Sequence, residues 1–391
     1  MNEGMSVKRT IGTLAAALLL VGAGAAHAQI AVSANDGKQL RPGEGPETRT
    51  PDSVSVLDLR AYPPKTLATI QMPASMIGPP AAVAVARSGR FALVSAAQRL
   101  NAAGEIELNE TVSLVDLSKP ATPRLLQSAK AGPGASGVAI NRAGTLALVA
   151  STGDDTISVF HIAAGKLVPA GKVQLPAKSR PTDVAFAPDG KSALVVAQAA
   201  GKLVGLSVNG SNVALSGREY QPGVQPYGVV FSPDGKFAYN TNLGGRAPAT
   251  PGTGPRIGTI SSVDLATGAV VSVDVGQTPE HVALSKDGAY IAAVVANGSA
   301  AATDAPGYHP YGLLQIYRVQ GGNMTPVAEA HSGAWCQGAV FSDDGRTVLL
   351  QCGMTKAIEV YRFDGKTLVQ DKAATLTFAA RPGSIATASS R

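Results

Sequence analysis

One unit of sequence recurs along this chain and constrains its fold more than any other property. In residues 226–242 it reads PYGVVFSPDGKFAYNTN, two short apolar runs at 229–231 and 237–239 on either side of Ser232-Pro233-Asp234-Gly235. Asp and Gly accept the left-handed backbone angles that a two-strand reversal demands, so the unit predicts a tight β-hairpin. It returns at residues 181–198, 279–297 and 334–352, and in weaker form at 80–97 and 135–151. The turn glycines Gly89, Gly144, Gly190, Gly235, Gly288 and Gly345 stand 55, 46, 45, 53 and 57 residues apart. A period of that length, filled with short strands and lacking an amphipathic helical stretch, marks propeller blades rather than a helical solenoid. Third runs follow at 111–117, 156–162, 260–265, 314–319 and 358–363, and a fourth at 270–275, so each repeat predicts a four-stranded antiparallel blade.

Six turn glycines give six complete blades. The N-terminal runs 30–34, 53–59 and 66–72 match the second, third and fourth strands of one more blade that lacks its first. Residues 381–386, RPGSIA, resemble the opening of the other blades, RPTDVA at 180–185. Joining the two ends in one blade leaves no unpaired inner edge to mispair. The expectation is therefore all-β: a single seven-bladed β-propeller over residues 29–391, closed by a C-terminal strand.

Residues 1–28 stand apart from that repeat. Lys8 and Arg9 begin a basic segment, 11–21 is apolar, and Ala26-His27-Ala28 ends it on small residues, the layout of a secretory signal peptide. The apolar run is too short to predict a membrane span. Residues 29–391 are expected in a bacterial periplasm, with no membrane span once the leader is removed. Of the net charge of +6, Glu3, Lys8 and Arg9 contribute +1, which leaves +5 for residues 29–391. Those charges are scattered, without a basic run or interleaved aromatics, so nucleic acid is not an expected partner.

The runs Val229-Val230-Phe231 and Asp155-Thr156-Ile157-Ser158-Val159-Phe160-His161, the latter followed by Gly165-Lys166-Leu167-Val168-Pro169, resemble the YVTN and lactonase-like β-propeller family. The resemblance covers nearly all of residues 29–391. It implies the seven-bladed fold and a range of activities, from 6-phosphogluconolactonase-like enzymes and related cyclases to proteins without assigned chemistry, so function must be argued from the site.

If the hairpin turns occupy one face of the disc, the remaining connections occupy the other. Four of these are long, at 36–52, 98–109, 243–256 and 298–310, and long connections predict a walled pocket or docking rim. On that face the openings of the inner strands bring Arg180, Asp183, Tyr227, Trp335, Gln337 and Arg381 toward the channel. Asn240, Asn242 and Asn297 join them from the ends of the second strands, and His309 from the loop 298–310. Amide, aromatic and charged groups around a funnel suit a small polar or acidic ligand, with Arg180 and Arg381 able to clamp a carboxylate.

The family resemblance places a ligand or acid-base role at Pro279-Glu280-His281. Ester hydrolysis needs a base for water and a donor for the oxyanion, which His281 with Arg180 or Arg381 could supply, Glu280 standing in for an acidic residue missing after Asn242. Spacing gives no HExxH, CxxC or CxxCH, so no metal or cofactor is expected. Cys336 and Cys352 lie equidistant from Asp344 at the hairpin turn and so face each other across adjacent strands. A disulfide is expected there, two buried thiols or a soft-metal pair being the alternatives. Two functions follow as expectations: a binding propeller that holds a small polar ligand or a periplasmic protein on its loop-rich face, or a lactonase-type hydrolase or isomerase acting on a sugar-acid or related lactone.

Overall fold

A computed structural model describes residues 1, 29–41, 43–244 and 257–390. Residues 2–28, on which the leader reading rests, and residues 245–256 of one long connection lie outside the described residues. The described chain forms seven antiparallel sheets in a ring. Their inner strands are, from the first blade to the seventh, Arg381–Thr387, Val83–Val85, Ala135–Ile140, Pro181–Phe186, Pro226–Phe231, Pro279–Leu284 and Cys336–Phe341.

The first blade joins both ends of the chain. Arg381–Thr387 pairs with Ile30–Asp36, which pairs with Ser53–Asp58 and through it with Lys65–Gln71. The ring is thus closed by strand pairing, as the sequence predicted. Two elements differ from expectation. Residues 98–109 are no open loop: the strands Phe91–Leu100 and Ile106–Asp116 continue to pair out to Leu100 and Ile106. The reversal is held by Asn101 Oδ1, which accepts from the backbone N–H of Ala103 and of Glu105, each at 2.9 Å. In the seventh blade the outer strand is divided into Leu368–Gln370 and Leu376–Thr377. Between them the carboxylate of Asp371 caps the short 3-10 helix Lys372–Ala374.

Apolar residues alternate along each strand and meet between neighbouring blades. Leu148 and Ile157 of the third blade pack with Val195 and Leu206 of the fourth, and Leu314 and Ile316 of the sixth with Phe341 and Tyr361 of the seventh. The hydrophobic core is therefore a series of inter-blade layers around a polar axis. That arrangement leaves the ends of the inner strands to define two channel mouths, one at the hairpin turns and one at the longer connections.

Candidate active site at the loop-rich mouth

Six inner strands carry an irregularity near their start, where one or two residues fall out of register with the neighbouring strand. In blades four to seven the pairs Pro181, Pro226, Pro279 and Cys336 come just before it, and the residue that follows is Thr182, Tyr227, Glu280 and Gln337 in turn. A bulge re-aims a side chain and bends the strand. The preceding residues Arg180, Gln225, Thr278 and Trp335 hold left-handed φ angles of 46°, 54°, 56° and 49°. The repetition makes this a property of the blade: each chain turns sharply on arriving at the channel.

Three of these groups form an electrostatic cluster. Burial of Glu280, which has no hydrogen bond or ion pair among the described residues, pushes its carboxyl from 4.5 up to about 8. Burial, followed by the neighbouring Glu280, also drives the Tyr227 hydroxyl well above its ordinary value, while Arg180 and the Gly78 backbone N–H act in the opposite direction. At neutral pH the three groups are thus a neutral carboxylic acid, a neutral phenol and a guanidinium, all of them donors. Beside Glu280 in the next blade, Gln337 is buried and its Oε1 has no hydrogen-bond partner among the described residues. Arg180 itself is exposed. Such a set can receive an oxyanion or carboxylate and present one amide acceptor to a hydroxyl group.

The next residue in each inner strand has a different task. Asp183 Oδ2 accepts from the N–H of Val229 at 3.0 Å and so ties the fourth blade to the fifth. His281 Nδ1 accepts from the N–H of Ala339 at 3.1 Å and ties the sixth to the seventh. The basic nitrogen that hydrolysis would need at His281 is therefore engaged in joining two blades. Arg381 is also committed within the chain. It donates to Gly353 O at 2.8 Å and to Gln39 O at 3.1 Å, and its guanidinium pairs with Glu44. A carboxylate clamp exists there, and its carboxylate is the protein's own.

The asparagines lie deeper than the sequence suggested. Asn240 donates to Asn242 Oδ1 at 2.8 Å, and Asn242 to Ser261 Oγ at 2.8 Å and Thr259 Oγ1 at 2.9 Å, inside the fifth blade rather than on the channel wall. Asn297 donates to Tyr311 O at 3.3 Å and closes the long connection of the sixth blade. In that connection His309 lies 5.9 Å from the Tyr311 ring, which stacks at 3.8 Å on His331 of the outer strand, so His309 belongs to the blade's outer side. Trp335 is partly exposed at the mouth, its backbone N–H donating to Ser299 Oγ at 2.8 Å. Cys336 and Cys352 pair directly and form a disulfide. Their sulfurs and a Glu359 oxygen lie within 4.8 Å of one another, but sulfurs bonded to each other offer no thiolate to a metal.

The segment between the first and second blades, residues 73–80, was not anticipated in sequence as part of the site. It crosses the loop-rich mouth. Met76 donates its N–H to Asp36 Oδ2 at 3.0 Å, and its side chain covers Gly353 and Gly383, where a Cβ would approach it to 2.7 Å and 2.2 Å. Further along, Gly78 faces Tyr227 and Ser136, and Pro79 lies 3.8 Å from where a Cβ of Gly228 would be. Its contacts therefore reach blades one, three, five and seven. Gly383, at an inner-strand start, and Gly353, just after a second strand, are what admit it. The only available signal was its length, since Met72 to Pro80 separates two blades that others join with fewer residues.

At the other end, a cavity of about 540 Å³ opens among the hairpin turns.

Residues 92–231 match the family model described as lactonase, 7-bladed beta-propeller. Among solved structures, a candidate 6-phosphogluconolactonase from Bacteroides fragilis NCTC 9343 superposes with a TM-score of 0.68 at 18% identity, covering 93% of this chain and 98% of that one. A second, from Bacteroides uniformis ATCC 8492, gives 0.67 at 18% identity over 92% and 99%. A protein of unknown function from Desulfotomaculum acetoxidans DSM 771 gives 0.64 at 12% identity over 92% and 98%. No curated protein matches the chain. The chain is thus similar to the lactonase-like seven-bladed propellers, and at these identities the structural likeness speaks for the fold.

Proposed function

We propose that this chain is an exported propeller that binds a small acidic, hydroxylated molecule at its loop-rich mouth, with Arg180, Tyr227 and Glu280 receiving the acid group and Gln337 a hydroxyl. The observation that carries the reading is the buried Glu280 carboxyl without a hydrogen-bond partner among the described residues, near the Tyr227 phenol, which in turn feels the Arg180 guanidinium. Next to Glu280 the buried Gln337 Oε1 has no partner among the described residues, and a buried polar atom left so costs about 1–3 kcal/mol, which a ligand hydroxyl recovers. Export rests on the leader-like residues 1–28, and a disulfide is in keeping with an oxidising compartment.

The test is calorimetric titration of residues 29–391 with gluconate, an anion across the range, from pH 6 to 10. Binding should weaken as pH rises through about 8, because the ionised Glu280 then repels the ligand acid. Arg180→Gln should weaken it at every pH. Affinity that is flat across the range and unchanged in Arg180→Gln would overturn the assignment.

The same carboxyl favours a second reading, lactone hydrolysis. A group titrating near 8 can take a proton from attacking water when ionised and return it to the leaving alkoxide. Turnover of unphosphorylated sugar or aromatic lactones that disappears in Glu280→Gln would establish that activity; no turnover across the panel leaves the binding propeller.

A further inference from the structure

The cavity at the hairpin-turn mouth is independent of the site just described. Its inner collar is made by the last residues of successive inner strands, among them Ile140, Phe186, Phe231 and Leu284, which are only half-buried there. The next ring outward is the turn itself. At its second position the six turn-bearing blades carry Arg87, Arg142, Pro188, Pro233, Lys286 and Asp343, and all six residues line the cavity. Lys286 is balanced by Asp343 at 2.8 Å. Arg87 and Arg142 come from adjacent blades, are exposed, and form no ion pair among the described residues. The pocket therefore has an apolar collar at the strand ends and a cationic rim on one side.

We infer that this mouth is a second binding site, for an organic anion with an apolar body. The apolar end enters first and lies against the collar, and the acid group remains at the rim between Arg87 and Arg142. Several features argue for it together. A volume of about 540 Å³ falls within the range of small-molecule sites. Guanidinium groups present paired donors suited to a carboxylate. Two cations on adjacent blades without a counter-charge among the described residues repel each other, and an anion bridging them relieves that repulsion. Proline at the same turn position in the fourth and fifth blades stiffens the opposite side of the opening without adding charge.

The experiment is calorimetric titration of residues 29–391 at pH 9 with benzoate and with its neutral isostere benzamide. At that pH Glu280 is ionised and the loop-rich mouth is expected to reject an anion, whereas arginine keeps its charge. Benzoate should bind and benzamide should bind at least about tenfold more weakly. The double variant Arg87→Gln/Arg142→Gln should lower benzoate affinity about tenfold or more, while Lys191→Gln, on the same face but outside the cavity, should leave it unchanged. Thermal unfolding of each variant checks that these exposed changes leave the fold intact. Equal benzoate affinity in the double variant, or no binding at about 10 mM, overturns the inference.

Discussion

Replacing Glu280 with Gln should make the protein more stable at alkaline pH, although it removes a group from the proposed binding site. In the folded chain the carboxyl titrates at about 8, against an ordinary value of 4.5, because burial disfavours its charged form. The folded state therefore holds a proton that the unfolded state has released between those two values. Stability is unaffected below 4.5, falls as pH rises from there to about 8, and then levels off. The difference of 8 − 4.5 = 3.5 in pKa, at ~1.4 kcal/mol each, corresponds to about 5 kcal/mol as an upper bound. Gln keeps the shape and carries no charge, so this dependence should disappear. Urea unfolding of residues 29–391 at pH 5, 7 and 9 measures it. The variant should match the parent to within about 1 kcal/mol at pH 5 and exceed it by several at pH 9. Parallel stability curves across that range would refute the claim that the carboxyl is buried and unpaired.

Other consequences follow from the geometry. Removing the disulfide by Cys336→Ala/Cys352→Ala, which opens a loop with a sequence separation of 16, should cost about 3 kcal/mol in urea unfolding. Asp183→Ala strips the acceptor from the N–H groups of Val184 and Val229 and should cost about 2–4 kcal/mol, read in the same assay. Gly383→Ala would place a Cβ 2.2 Å from that of Met76, so it should displace residues 73–80 and expose the segment to limited proteolysis next to the exposed Ile77. A chain ending at Ala380 lacks the strand that pairs with Ile30–Asp36 and should fail to give a cooperative unfolding transition.

The architecture was legible because its signals are local and repeated. A turn glycine and its flanking apolar runs lie within a few residues of each other, and the incomplete blade at each end of the chain points to the other. The site was legible only in part. Glu280 and His281 are neighbours in sequence, yet the bulge sends one to the channel wall and the other to Ala339 of the next blade. No composition or spacing rule separates those roles without the strand register. Arg381 read as a free clamp because its partner Glu44 lies 337 residues away. The opposite mouth carried a readable sign in the second residue of each turn, Arg or Lys in three blades and Pro in two.

The sizes of the residues round the ring help to explain why the two mouths differ. At the position of Asp183 and His281 the neighbouring blades carry Gly137, Gly228 and Gly338, so a large side chain enters the space left by a glycine beside it. A Cβ on Gly137 would come within 2.6 Å of Asp183, which shows how closely that pair is fitted. The alternation does not run round the whole ring: Gly338, Ser384, Ala82 and Gly137 of the seventh, first, second and third blades are four small residues in succession. That is also where residues 73–80 enter, and Met76 supplies the bulk that the inner strands lack. On this view residues 73–80 fill the loop-rich mouth where the inner strands carry only small residues. The turn mouth lies beyond the clamps, outside that run of small residues, and keeps a cavity open to a ligand.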